Sequence, residues 1–350
     1  MRADVPPARA ASAAAAGGGR GSRRAWPWLK RAGIALFFLA VAALLARHAR
    51  EVDWHAVTAV LRGYAASTLL LAAVLAAASY ALYCCYDLIG RRQVGHRLRA
   101  TQVLATAFVS YAFNLNLGAL VGGVALRYRL YSRLGLAAET ITQVVALSML
   151  TNWLGYLLVA GVAFVVFPPA LPEGWWLGSD SVRLTGTLLL ALAVAYLLMC
   201  FSARRRVWRL RGHAMTLPSG PMALLQLALS SANWMFIAGV VAVLLGGRLD
   251  YPTVLGVLLI AAVAGVVAHV PAGLGVLEAV FIALLSHRVP LAELLGALLA
   301  YRALYYLAPL GLALGAYLCM EAQAKRPAAA LESARARDIA RPAARRRASP

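Results

Sequence analysis

The stretch HVPAGLGVLEAVF, His269 to Phe281, interrupts a run that is otherwise almost wholly apolar, Thr253 to Val270 before it and Ala279 to Leu285 after it. A proline and two glycines there end a helix that would otherwise continue, because proline removes a backbone donor and glycine adopts turn conformations freely. The glutamate adds a charge that hydrocarbon tolerates only at a cost of about 2.5–3.5 kcal/mol on insertion scales. A broken helix carrying an ionisable group at its break is therefore the feature to place.

Composition fixes the solvent. Of 350 residues 62% are hydrophobic and only 13% charged, with mean hydropathy +0.73, well above the about 45–50% apolar content of soluble domains. The charges cluster between apolar runs of spanning length, near Ala32–Ala46, Thr68–Ile89, Thr101–Gly123, Thr140–Phe167, Val182–Ser202, Met222–Leu245, Thr253–Ser286 and Leu291–Met320. Hydrocarbon offers no water to bare backbone groups, so these runs predict an all-α polytopic membrane protein. Residues 1–27 and 321–350, basic and rich in Ala, Pro and Arg, read as disordered tails flanking a membrane domain at 28–320.

Net charge is +21 and pI about 10.8, but the basic residues lie beside the apolar runs. Arg91, Arg92, Arg97 and Arg99, then Arg204, Arg205, Arg206, Arg209 and Arg211, are examples. That is the positive-inside pattern and not a nucleic-acid surface, so no nucleic-acid partner is expected. Cys84, Cys85, Cys200 and Cys319 lie within or at the ends of apolar segments, with no CxxC and no clustered His partners. No metal site, cofactor site or catalytic residue is expected, and the absence of HExxH, GxSxG and P-loop motifs argues against an enzyme.

Charge parity predicts topology. The basic clusters put both termini, 90–100 and 203–220 in the cytoplasm, whereas 168–182 carries Glu173 and Asp180 and neither Lys nor Arg, and so faces outward. Two full crossings between 100 and 168 would return the chain inside. The loop holding Arg127, Arg129 and Arg133 also reads as cytoplasmic, so Thr101–Gly123, with Asn114, Asn116, Gly122 and Gly123, is expected to enter and leave on that side. Thr253–Ser286 meets the same arithmetic from the outer face. Its 34 residues span about 51 Å as helix, against roughly 60 Å for two passes of the bilayer core. Six full spans and two re-entrant hairpins follow, the second turning at Pro271, Gly273 and Gly275. Interrupted segments in corresponding places of two halves mark an inverted-repeat transporter with its site near the midplane.

The strings NLNLGALVGGVALRYRLY, HVPAGLGVLEAVFIALL and YRALYYLAPLGLALG resemble the lysylphosphatidylglycerol synthase transmembrane-region family of flippase-like membrane proteins over about residues 28–320. The resemblance implies a bacterial inner-membrane protein that moves lipid between leaflets, and it points to Gly122, Gly123, Arg127, Pro271, Gly273, Gly275, Glu278 and Arg302. The thirty Arg-rich residues after Met320 do not resemble an aminoacyl-transfer domain, so synthesis of the lipid by this chain is not expected. In place of the proline and acidic residue usual near the first glycine pair, this chain has Asn114, Asn116 and Val124-Ala125, so a shared charge relay there is in doubt.

Two roles stay open for the intramembrane charges: Glu278 pairs with Arg302, or each faces a lipid headgroup. Arg127 either holds a phosphodiester or anchors at the cytoplasmic surface. His269 is a candidate proton carrier or a structural histidine, and Asp87, beside Arg91 and Arg92, reads as an interface charge. Asn152 and Gln143 read as interhelical hydrogen bonds. The expected function is lipid translocation. The alternatives are a non-transporting partner of an envelope-lipid pathway (aminoacyl-phospholipid, hopanoid or glycolipid), engaging membrane lipids and a lipid-biosynthetic enzyme, and an ion-coupled solute transporter.

Overall fold

A computed structural model describes residues 54–169, 178–203, 207–210, 213–268, 270 and 273–322. The first apolar segment, the tail at 1–27, the tail after Ala322, Trp175, Trp176, His269 and Pro271 lie outside these residues. The described chain is helical: α1 (Trp54–Arg62), α2 (Ala66–Val94), α3 (Ala100–Leu117), α4 (Leu126–Arg133), α5 (Ala138–Val166), α6 (Ser179–Ser202), α7 (Gly220–Leu244), α8 (Tyr251–Ala268), α9 (Val276–Leu285) and α10 (Leu291–Ala322). A short antiparallel hairpin, Val207–Leu210 with His213–Thr216, sits in the basic loop between α6 and α7.

Six of these helices, α2, α5, α6, α7, α8 and α10, are long and apolar enough to cross a bilayer. At 29 residues, α2 and α5 each reach about 43 Å, more than the ~30 Å hydrocarbon thickness. Between apolar helices in lipid the attraction comes from close packing and polar contacts. Accordingly, a Cβ on Gly155 of α5 would lie 2.4 Å from the backbone carbon of Ser230 on α7, so these helices meet backbone to backbone. Gln226 of α7 ties three helices, donating to Thr151 of α5 at 2.8 Å and accepting from Tyr196 of α6 at 2.8 Å.

Polar contacts also orient the bundle. Tyr64, just before α2, donates to the carbonyl of Leu244 at the end of α7 (2.7 Å), so α2 and α7 run antiparallel. The segment α8–α9 begins after Asp250 and ends before Arg288, and these two side chains approach to 4.0 Å. Beside them Arg248 pairs with Glu293 at the start of α10 (3.0 Å). The segment therefore leaves and returns at the Tyr64 end. The segment α3–α4 does the reverse: His96 before it and Tyr131 near its end have ring centroids 6.4 Å apart, and Arg129 and Arg133 of α4 pair with Glu321 at the far end of α10. Both interrupted segments double back, each to its own end of the bundle, and the two ends are opposite.

Candidate functional site

The two breaks are built differently. In the first, α3 ends at Gly118 and a π-helical turn, Ala119–Ala125, carries the chain into α4. The turn lies on α3 itself: a Cβ on Gly122 would fall 2.2 Å from the carbonyl carbon of Phe113, so only glycine fits. Gly122 therefore packs against its own segment, not as a GxxxG contact with another helix. In the second break the backbone at Gly273 and Gly275 is left-handed, φ +56° and +77°, a region glycine enters without strain, and Gly275 caps α9. A second π-helical turn, Arg302–Leu307, interrupts α10 beside it. Single π turns inside α-helices recur at functional sites.

Each break is held by one ion pair. Arg127 lies just past the first turn, 1% exposed, with Nε donating to Asp87 Oδ2 at 3.1 Å and Nη2 to Oδ1 at 3.2 Å. Tyr131 donates to the same carboxylate at 2.8 Å, and Arg127 Nη1 reaches the Gly123 carbonyl at 3.2 Å. The bidentate fork and these further bonds satisfy both charges, which buried ions require. Arg127 is thus neither a snorkelling anchor nor an open phosphate ligand in this conformation. Asp87, 0% exposed, is its partner and not an interface charge.

Glu278 and Arg302 form the second pair. Arg302 Nε donates to one Glu278 oxygen and Nη2 to the other at 3.0 Å, while Nη2 also donates to the Gly273 carbonyl at 3.0 Å. These side chains are 17% and 12% exposed, more open than the first pair. Of the two roles open for them, pairing is the one found.

Between the breaks lies a cavity of about 650 Å³, within the size range of small-ligand sites. The first tip contributes Asn114 and Gly118 to Val121, the second Gly265, Val266, Val270, Gly273 and Leu277, and α10 contributes Tyr301, Tyr305 and Tyr306. Several rim residues are large, apolar and open: Leu120 is 80% exposed, with Leu117, Val121 and Val266 also more than half or half exposed. Behind the cavity, Tyr305 bonds Ser79 at 2.6 Å and Tyr111 at 3.0 Å, and Tyr80 donates to its carbonyl at 3.0 Å.

Of the expected site residues, Asn114 and Gly273 line the cavity, and Asn116 braces it by donating to the carbonyls of Ala112 (2.8 Å) and Tyr306 (3.2 Å). Gly122, Gly123, Gly275, Glu278, Arg127 and Arg302 shape the breaks beside it; Pro271 lies outside the described residues. Asn152, expected in an interhelical hydrogen bond, lines the cavity and bonds across helices through its carbonyl, which accepts from Trp234 at 3.1 Å, while its side chain takes no partner among the described residues. Sequence reasoning passed over the tyrosines. Their signal was the spacing of Ser79, Tyr80, Tyr83, Tyr86 and Asp87 at three and four residues along α2, a polar stripe on an otherwise apolar helix.

Five long apolar helices beside two broken segments, whose tips border one cavity, define a multi-pass helical membrane protein. Residues 31–313 match the family described as the lysylphosphatidylglycerol synthase TM region, and the chain belongs to that family. It is 46% identical over 310 residues to the inner membrane protein YbhN of Escherichia coli strain K12, covering 88% of this chain and 98% of that protein. It is 35% identical over 300 residues to the uncharacterized protein slr0712 of Synechocystis, covering 84% and 92% respectively.

Proposed function

We propose that the chain is a lipid translocator of the bacterial inner membrane, with both termini cytoplasmic, and not an enzyme. The observation that carries this reading is the cavity between the two tips, walled by Asn114 and the tyrosines and rimmed by exposed Leu117, Leu120, Val121 and Val266. A largely apolar pocket with a few polar groups and an apolar mouth suits a lipid whose headgroup enters while its acyl chains stay in the bilayer. Breaks that enter from opposite ends supply two elements able to open in turn, as alternating access requires. Membership of a family named for a lipid synthase's membrane region and a relative named as an inner membrane protein support the same direction.

The test is reconstitution of the purified full-length protein with fluorescent lipids. Protein-containing vesicles are expected to expose inner-leaflet lipid to an external quencher faster than empty ones, and Glu278→Ala is expected to abolish the excess. Equal rates with and without protein would leave the accessory role, a lipid-binding partner of a biosynthetic enzyme, as the better reading.

A further inference from the structure

We infer that the cavity takes a lipid headgroup without net charge and rich in hydroxyls, such as a glycosyl headgroup. This deepens the proposed function and rests on it for the lipid, but the headgroup argument stands on the cavity alone. Among the described residues that line it there is no Asp, Glu, Lys, Arg or His. The two arginines that flank it are committed, Arg127 to Asp87 and Arg302 to Glu278. An anionic phosphate in the cavity would lose its hydration and meet no uncompensated cation, a cost that burial makes large.

A cationic headgroup fares no better. Aromatic walls attract cations when ring faces are open, but two of the cavity's tyrosines already carry a guanidinium of this chain. Arg127 sits 5.7 Å from the centroid of Tyr83 and Arg302 sits 5.2 Å from that of Tyr306. Tyr83 is further stacked on Tyr111, centroids 3.5 Å apart, and Tyr301 on Tyr305 at 5.3 Å. With those faces occupied and no lining carboxylate, an ammonium would lose its hydration and meet no uncompensated anion.

What the cavity does offer is neutral hydrogen bonding. Asn114 and Asn152 line it, and although the Asn114 carboxamide packs against Gly123, that of Asn152 takes no partner among the described residues and has an acceptor and two donors to give. Hydroxyls, which both donate and accept, match amides in either orientation, and the C–H faces of a sugar ring suit apolar walls.

The test measures binding of three probes with identical acyl chains, glucosyl-diacylglycerol, phosphatidylglycerol and lysyl-phosphatidylglycerol, to the purified full-length protein by native mass spectrometry. Glucosyl-diacylglycerol is expected to bind most tightly. Asn152→Leu is expected to weaken it by about tenfold, the size of one or two lost hydrogen bonds, and Asn152→Gln to restore most of it. Asn152→Asp should turn the preference toward lysyl-phosphatidylglycerol, a gain that misfolding cannot imitate. Equal or tighter binding of either charged probe by the native chain, or no binding of any probe, overturns the inference. The same probes in vesicles separate the two readings: if none moves, translocation fails while the binding order still decides headgroup charge.

Discussion

The pair Asp87–Arg127 and the pair Glu278–Arg302 answer the same requirement, a charge beside a helix break in lipid, in opposite ways. The first is sealed, at 0% and 1% exposure, with Tyr131 and the Gly123 carbonyl completing its coordination. The second, at 17% and 12%, joins the hairpin tip to α10 and holds the Gly273 carbonyl that lines the cavity. A sealed pair serves as a clamp that fixes one hairpin to α2. The more open pair joins two elements that both border the cavity, so in the proposed function it is the pair expected to part.

Breaking the clamp should have the largest effect. Arg127→Ala leaves Asp87 buried and unpaired, a loss of about 3–5 kcal/mol, so thermal unfolding in detergent should show a sharply lowered midpoint or no folded protein. Arg127→Lys should restore part of the stability, since it keeps the charge and loses the fork. Next comes Gly122→Ala, whose Cβ meets the Phe113 carbonyl; overpacking there should cost about 1–3 kcal/mol in the same assay. Arg302→Ala should separate function from fold. Its unfolding midpoint should fall less than that of Arg127→Ala, while headgroup-dependent lipid movement is lost; equal destabilisation by both would erase the distinction between clamp and parting pair.

The smallest effect concerns pH. Burial alone would raise the Asp250 carboxyl, but the hydrogen bonds from Thr253, its own backbone and nearby Arg288 outweigh it and hold Asp250 below the usual carboxylate range. A depressed carboxylate stabilises the fold above its unfolded value of about 3.9 and loses that contribution as pH falls through the lower folded value. At neutral pH the native chain should therefore be slightly more stable than Asp250→Asn, and it should lose that small advantage on acidification below about pH 4.

Much of the architecture was legible in the residues. Glycines with asparagines at the first break and with a proline at the second marked the interruptions, and charge parity put their return points at opposite ends, where the described contacts also lie. The pairing of charges was only half legible. Glu278 and Arg302 lie in adjacent segments and were matched, but Asp87 stands beside Arg91 and Arg92, one turn along the same helix, and local spacing hides a partner 40 residues away that tertiary packing selects. The place of the site between the two breaks was legible, but the size and lining of the cavity were not. The cavity is a gap between elements, and no periodicity states how far apart two turns will stand.

The most direct measurement places one cysteine at Leu120 and one at Val266, both lining residues from opposite tips, in a chain whose four native cysteines are replaced, and follows lipid movement in vesicles before and after linking them with a bifunctional thiol reagent. A pathway between the tips predicts that linkage stops movement and that cleaving the linker restores it. Undiminished movement in fully linked protein would contradict it.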